Sequence, residues 1–261
     1  MQVKTTSMLK KGYRRTIQRN GLALMGILFA LYATSGLIGV GITQWVASQQ
    51  FVPGDIQTTP ILLVPPIVAG ILGLVVGVAT LVVSIAAIRV FVSDETERLP
   101  REYFTRNMLW VAVNFIVGAI VFAIIVTLGF VALIVPGIFL LVTLAFWSVY
   151  VAVEEENFIA AFRSSWGLTR GHRLNLLLLG VAVLVITILV EAVFDLGHLG
   201  GGSLELVVIL LSQVGGAITT VFSTAVLAAA YTELTRAEEE SLPPLSEDER
   251  TAPSDEIAGG A

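Results

Sequence analysis

The sequence predicts an all-α polytopic membrane protein: a bundle of six transmembrane helices. Three observations carry this. The chain of 261 residues is 56% hydrophobic and only 13% charged, whereas soluble domains carry about 25% charged residues. Residues 20–54, 56–88, 107–153, 174–190 and 206–232 contain no Asp, Glu, Lys or Arg, and about 20 apolar residues in a helix suffice to cross roughly 30 Å of hydrocarbon. Finally, all 15 Lys and Arg residues fall within 1–20, 89–107, 153–173 and 232–261, and none falls within 47–61, 128–131 or 195–205. Such one-sided placement is the positive-inside pattern, and with six spans it puts both termini on the cytoplasmic side of the plasma membrane.

The elements follow in order. Residues 1–20 form a basic cytoplasmic segment ahead of the first span, 21–46. That span exceeds the 7–15 residues of a signal-peptide core, so it is expected to be retained. The second span, 62–88, carries small residues at Gly70, Gly73, Gly77, Thr80, Ser84 and Ala87. They share one helical face, and Gly73–Gly77 is a GxxxG. The first span has a similar line through Gly26, Ala30, Ala33 and Gly36. Small faces let backbones approach closely in lipid, so the two spans are expected to pack together there, with homo-oligomerisation through the same face as the alternative. The third and fourth spans, 108–128 and 131–152, share one uncharged run. The chain is expected to turn at Leu128-Gly129-Phe130, with the fourth helix kinked or broken at Pro136; a turn at Pro136-Gly137 would leave that span short. Spans five and six occupy 174–194 and 206–231.

Residues 237–261 hold eight acids and one base, a charge of −7 out of the net −5, which leaves +2 on residues 1–236. With three prolines and a Gly-Gly-Ala end, this tail is expected to be disordered and cytoplasmic. Arginine outnumbers lysine twelve to three; with the acidic tail, this suits a salt-loving or high-GC organism.

Chemistry-bearing residues are few. There is no cysteine and only two histidines, His172 and His198, so disulfides and thiolate metal sites are excluded. No P-loop, GxSxG or HExxH is present. Catalytic residues, cofactors and metals are therefore not expected, and the chain reads as a non-enzyme. Glu191, Asp195, His198 and Glu205 gather around the last outer connection, but their spacing fits no metal template. Glu191 reads as an interfacial carboxylate near the outer surface.

The most structured connection is 154–173, EEENFIAAFRSSWGLTRGHR. Glutamates open it and Arg163, Arg170 and Arg173 follow, a polarity that suits a helix macrodipole. Phe158, Phe162 and Trp166 recur at i, i+4 and i+8. The pattern predicts an interfacial helix with its aromatics at the acyl boundary and its arginines near lipid phosphates, or else a connector packed under the bundle.

The string Pro136-Gly137-Ile138, then Val151-Ala152-Val153-Glu154, then Ala161-Phe162-Arg163-Ser164-Ser165-Trp166-Gly167-Leu168-Thr169-Arg170-Gly171 resembles a poorly characterised family of multi-span proteins. That family includes the membrane domain beside some glycerophosphodiester phosphodiesterases, the YciC-type bacterial inner-membrane proteins and haloarchaeal domains of unknown function. The resemblance is best over 131–180 and implies a helical membrane module of about six spans from an archaeal source. It implies no hydrolysis, because the hydrolase of that family is a separate soluble domain, and it carries over no catalytic residue. A weaker repeat joins the basic segments: Tyr13…Thr16…Arg19, Tyr103…Thr105-Arg106 and Trp166…Thr169…Arg173. It suggests three helical hairpins, each introduced by a basic interfacial segment.

The function expected is a non-enzymatic membrane module that binds lipid or a partner protein. Its candidate lipid- or partner-facing residues are Arg163, Trp166, Arg170 and Arg173. The partners expected are the bilayer, anionic headgroups, a membrane or cytoplasmic protein, or a second copy; nucleic acid is not among them. A small transporter or channel is the alternative, motivated by prolines at Pro65-Pro66 and Pro136. An intramembrane enzyme using Glu191, Asp195 or His198 stands third.

Overall fold

The computed structural model describes residues 5–49, 63–93, 99–195 and 205–241. Every regular element among them is helical: α1 (Thr5–Thr16), α2 (Arg19–Ser48), α3 (Pro66–Val92), α4 (Glu102–Thr105), α5 (Met108–Ala132), α6 (Ile134–Thr143), α7 (Trp147–Val153), α8 (Phe158–Leu168), α9 (Arg173–Asp195) and α10 (Glu205–Ser241). Six of the resulting rods are long and apolar enough to cross a membrane: α2, α3, α5, α6 with α7, α9 and α10. Each matches one expected span. The short helices α1, α4 and α8 precede the pairs α2/α3, α5/α6–α7 and α9/α10, so the chain does run as three hairpins, each with its own lead-in helix.

Local chemistry sets the ends. Pro66 opens α3 at a position where the missing N–H costs nothing. Asn107 precedes α5 with a left-handed backbone, φ 45°, a conformation asparagine tolerates better than most residues. The turn between α5 and α6 falls not at Leu128-Gly129-Phe130, which stay helical within α5, but at Leu133, which is extended at φ −166° and ψ 151°. Gly129 and Gly137 face each other across this turn, so closely that a methyl on Gly129 would lie 3.0 Å from the Gly137 Cα. The expected kink at Pro136 is not there. Pro136 sits in the first turn of α6, where backbone N–H groups have no helical partner to lose. The fourth span breaks one helix later, between Thr143 and Trp147.

α10 is the centre of the bundle. In one buried cluster its Ala217, Val221 and Ala225 join Leu24 and Leu28 of α2 and Val83, Ala87 and Val90 of α3. In a second, its Phe222, Val226 and Tyr231 join Met8 of α1, Ile85 and Ile88 of α3, and Phe146, Trp147 and Val149 at the start of α7. The small-residue face behaves differently from expectation. Gly70, Gly73 and Gly77 of α3 face open space, as does Gly26 of α2, while Gly36 points at Ile209 and Gln213 of α10. The first two spans meet nearer the basic end, where Leu24 and Leu28 share a buried cluster with Val83, Ala87 and Val90, so of the small face Ala87 is buried there. The basic segment before the first span is itself a helix laid against α10, and Ala237–Ser241, assigned to the tail, extend α10. His198, Gly200–Gly202 and the acidic tail beyond Ser241 lie outside the described residues.

Candidate lipid-facing site

The site is built on the connection between the second and third hairpins, and an arginine holds its floor. Arg89 stands near the end of α3 within the apolar run Ile88-Arg89-Val90-Phe91 and is 6% exposed. Its Nε donates to the Ala152 carbonyl at 2.6 Å, and its Nη1 donates to the carbonyls of Tyr103 (3.2 Å) and Arg106 (2.9 Å). Its Nη2 lies 3.7 Å from the carboxylate of Glu155, which also pairs with Arg106 at 2.8 Å. One guanidinium thus ties the end of α3 to the α4 segment and to the end of α7. Glu155 has φ +56°, a left-handed backbone that is uncommon outside glycine. It is held there from all sides: the Asn107 amide donates to its carboxylate and the Trp110 indole donates to its carbonyl at 3.3 Å.

This fixed bend delivers α8. Asn157 caps it by accepting from the Ala160 N–H at 3.0 Å. Asn114 of α5 accepts from the Phe158 N–H at 3.3 Å. α8 then runs back against the break in the fourth span. Ser165 Oγ donates to the Thr143 carbonyl at 2.9 Å and accepts from the Phe146 N–H at 3.1 Å. Thr169 Oγ1 donates to the same Thr143 carbonyl at 3.3 Å. An interrupted helix leaves backbone groups that lipid cannot satisfy, and two hydroxyls from α8 satisfy them. The Ser165 and Thr169 positions of the family-like string therefore have a physical role: they seal the break.

The aromatic face of α8 turns into the protein. Phe162 packs edge-on against Trp147 with centroids 5.8 Å apart, and Phe158 against Phe162 at 6.1 Å. Trp166 meets Phe139 of α6 at 5.6 Å and 77°. The connector alternative thus describes the aromatics better than the acyl-boundary one. Between α5, α6 and α8 remains a cavity of about 500 Å³, within the size range of small-molecule sites. Ile125, Leu140, Leu144, Phe162 and Trp166 form its apolar walls, and Arg163, Gly167 and Arg170 line it as well. Three of the four candidate residues, Arg163, Trp166 and Arg170, therefore share one cavity. Arg173 does not line it. Its guanidinium lies 4.7 Å from the Phe139 ring centre and 5.2 Å from that of Trp166, a cation–π seat that steadies the cavity's aromatic wall.

Electrostatics divide the cations. Arg89 and Arg106 share Glu155, Lys11 pairs with Glu233 at 2.8 Å, and Arg236 with Glu240 at 3.4 Å. Arg163 and Arg170 are exposed and make no ion pair among the described residues. Sequence reasoning missed Arg89, Ser165 and Thr169 as organising residues. For Arg89 a signal was available, because an arginine flanked on both sides by apolar helix residues needs buried partners. Glu191 accepts from Thr219 Oγ1 at 3.2 Å. Among the described residues no three His, Cys, Asp or Glu side chains gather as a metal site.

No curated protein and no solved structure matches the chain. The model of one family, DUF7847, a domain of unknown function, matches residues 1–234, which takes in every helix from α1 to most of α10. By that match the chain belongs to the DUF7847 family.

Proposed function

We propose that this protein is a non-enzymatic membrane module that binds anionic lipid headgroups through Arg163 and Arg170 on the side of the membrane that holds its basic segments. The observation that supports this is the pairing of two uncommitted arginines with an apolar cavity. Phosphate would meet the guanidinium groups, and the lipid's glycerol region or first methylenes would meet Trp166, Phe162 and Leu140. The resemblance of residues 131–180 to membrane domains that accompany separate soluble enzymes agrees with a module of this kind. So does the positive-inside placement in a plasma membrane with both termini cytoplasmic.

The transporter or channel reading draws on the broken fourth span. It has less support, because the Thr143 carbonyl that such a break would offer an ion already accepts from Ser165 and Thr169.

The test is binding in nanodiscs of phosphatidylcholine with and without phosphatidylglycerol, followed by native mass spectrometry of the retained lipid. Wild type is expected to retain phosphatidylglycerol selectively. Arg163→Gln and Arg170→Gln are each expected to weaken that retention about five-fold, since one cation near a membrane surface contributes about 1 kcal/mol. Equal retention of the two lipids, or no effect of the double substitution, would overturn the proposal.

A further inference from the structure

A second crevice opens against α10, and its position follows from how α1 is held. Ser7 and Lys11 both reach Glu233, at 3.1 and 2.8 Å. Gly12 lies so close to α10 that a methyl group there would fall 2.8 Å from the Val226 Cα. Thr16 borders the crevice beside Phe222 and Thr219. α1 therefore descends antiparallel to α10. From Glu233 to Phe222, α10 advances about 16 Å at 1.5 Å per residue, roughly the depth of one leaflet. α2 then continues along α10 in the same direction, with Tyr32 at Thr220 and Gly36 at Ile209 and Gln213, and a crevice of about 620 Å³ is left between α1, α2, α9 and α10.

The two ends of this crevice differ. Near α1 it is bordered by Lys10 and Tyr13, both exposed. Deeper, its walls are Met25 of α2, Ile186 and Val190 of α9, and Phe222 of α10. The two threonine hydroxyls on its walls are already committed: Thr16 donates to the Gly12 carbonyl at 2.8 Å, and Thr219 bonds with Glu191 and the Gly216 carbonyl. Water in a cavity needs two to four polar partners, and beyond these threonines the crevice's polar side chains stand only at the Lys10 and Tyr13 end.

We propose that the crevice holds one acyl chain of an anionic phospholipid from the leaflet on the basic side. The phosphate sits at Lys10 and Tyr13, and the chain runs down between α1 and α9 toward Val190. The lipid's second chain stays in the bilayer. This site shares no residue with the cavity at Arg163 and Arg170.

The experiment places the full chain in phosphatidylcholine nanodiscs doped with phosphatidylglycerol spin-labelled on one acyl chain, and reads the motionally restricted fraction by electron paramagnetic resonance. The parent protein for every comparison is Arg163→Gln/Arg170→Gln, which silences the first cavity. A restricted fraction that exceeds the one seen with spin-labelled phosphatidylcholine is expected to persist in this parent. Ile186→Trp, which fills the crevice, is expected to abolish the excess. Lys10→Gln, a surface change that leaves the packing intact, is expected to reduce the preference for phosphatidylglycerol about five-fold. Equal restriction of the two lipids in the parent, or an unchanged excess in both further variants, would overturn the proposal. Loss of the excess in the parent alone would assign all selective binding to the first cavity and overturn it too.

Discussion

Arg89 shows how much a single side chain can organise here. Its guanidinium meets three carbonyls and one carboxylate that belong to two separate stretches of chain, both distinct from its own helix. Glu155 keeps Arg106 when Arg89 is removed, but three carbonyls lose a charged donor, and at about 1.5–3 kcal/mol per hydrogen bond to a charged group the loss comes to about 3–5 kcal/mol. Arg89→Ala is therefore expected to lower stability by that amount in detergent, read by thermal or denaturant unfolding. Arg89→Lys is expected to recover little of it, since an ammonium cannot serve carbonyls in the directions a planar fork serves. Ser165 and Thr169 allow a finer comparison. Ser165 is the acceptor for the buried Phe146 N–H, so Ser165→Ala leaves that group unsatisfied at a cost of about 1–3 kcal/mol. Thr169→Val is expected to cost less, because Ser165 still serves the Thr143 carbonyl. Equal losses from the two, by the same unfolding measurement, would mean that the seal does not work as described.

At the scale of helices, glycines divide by what stands opposite them. A methyl on Gly118 of α5 would lie 2.6 Å from the Trp147 ring and 3.1 Å from Phe158 Cβ. Trp147 cannot easily give way, because Phe115, Phe122 and Phe162 surround it with ring centres 5.1, 5.9 and 5.8 Å distant. Gly118→Ala is expected to destabilise by about 1–3 kcal/mol, the usual cost of overpacking. Gly73→Ala of α3 meets open space, and alanine exceeds glycine as a helix former by about 1 kcal/mol. It is expected to leave the melting temperature unchanged or raise it. A drop at Gly73 would mean that another surface covers this face in the membrane. The helix map also shows where sequence is readable. The six spans were legible because hydrocarbon thickness demands long uncharged runs. The break after Thr143 was not, because Leu-Val-Thr-Leu-Ala-Phe-Trp is uniformly apolar and compatible with a helix. What stabilises the break is a pair of hydroxyls some twenty residues further on. The aromatic repeat on α8 was legible as one face, yet nothing in its spacing distinguishes a face turned to lipid from one turned to Trp147. Arg163, Trp166 and Arg170 could be named from polarity and spacing, whereas the cavity they share depends on α5 and α6 folding over them.

For the whole molecule, the positive charges predict an orientation that is open to direct labelling, since the chain contains no cysteine. Gln49, just past α2, and Arg170, just past α8, are both exposed and lie on opposite ends of the bundle. In intact cells a membrane-impermeant maleimide is expected to label Gln49→Cys, and to label Arg170→Cys only after permeabilisation. The reverse pattern would invert the protein and move both proposed lipid sites to the other leaflet. The central place of α10 has a further consequence, for the order of assembly. Ser7 bonds to Glu233 across a separation of 226 residues, and Leu24, Leu28 and Met8 find their buried neighbours on a helix that is made last. At about 5–20 residues per second, the ribosome needs on the order of ten to forty seconds between the two partners. Throughout that interval the first hairpin sits in the membrane without its final packing surface, and α1 has no groove to enter. The newborn protein must therefore wait as two hairpins and a lone α9, and close around α10 in a late step.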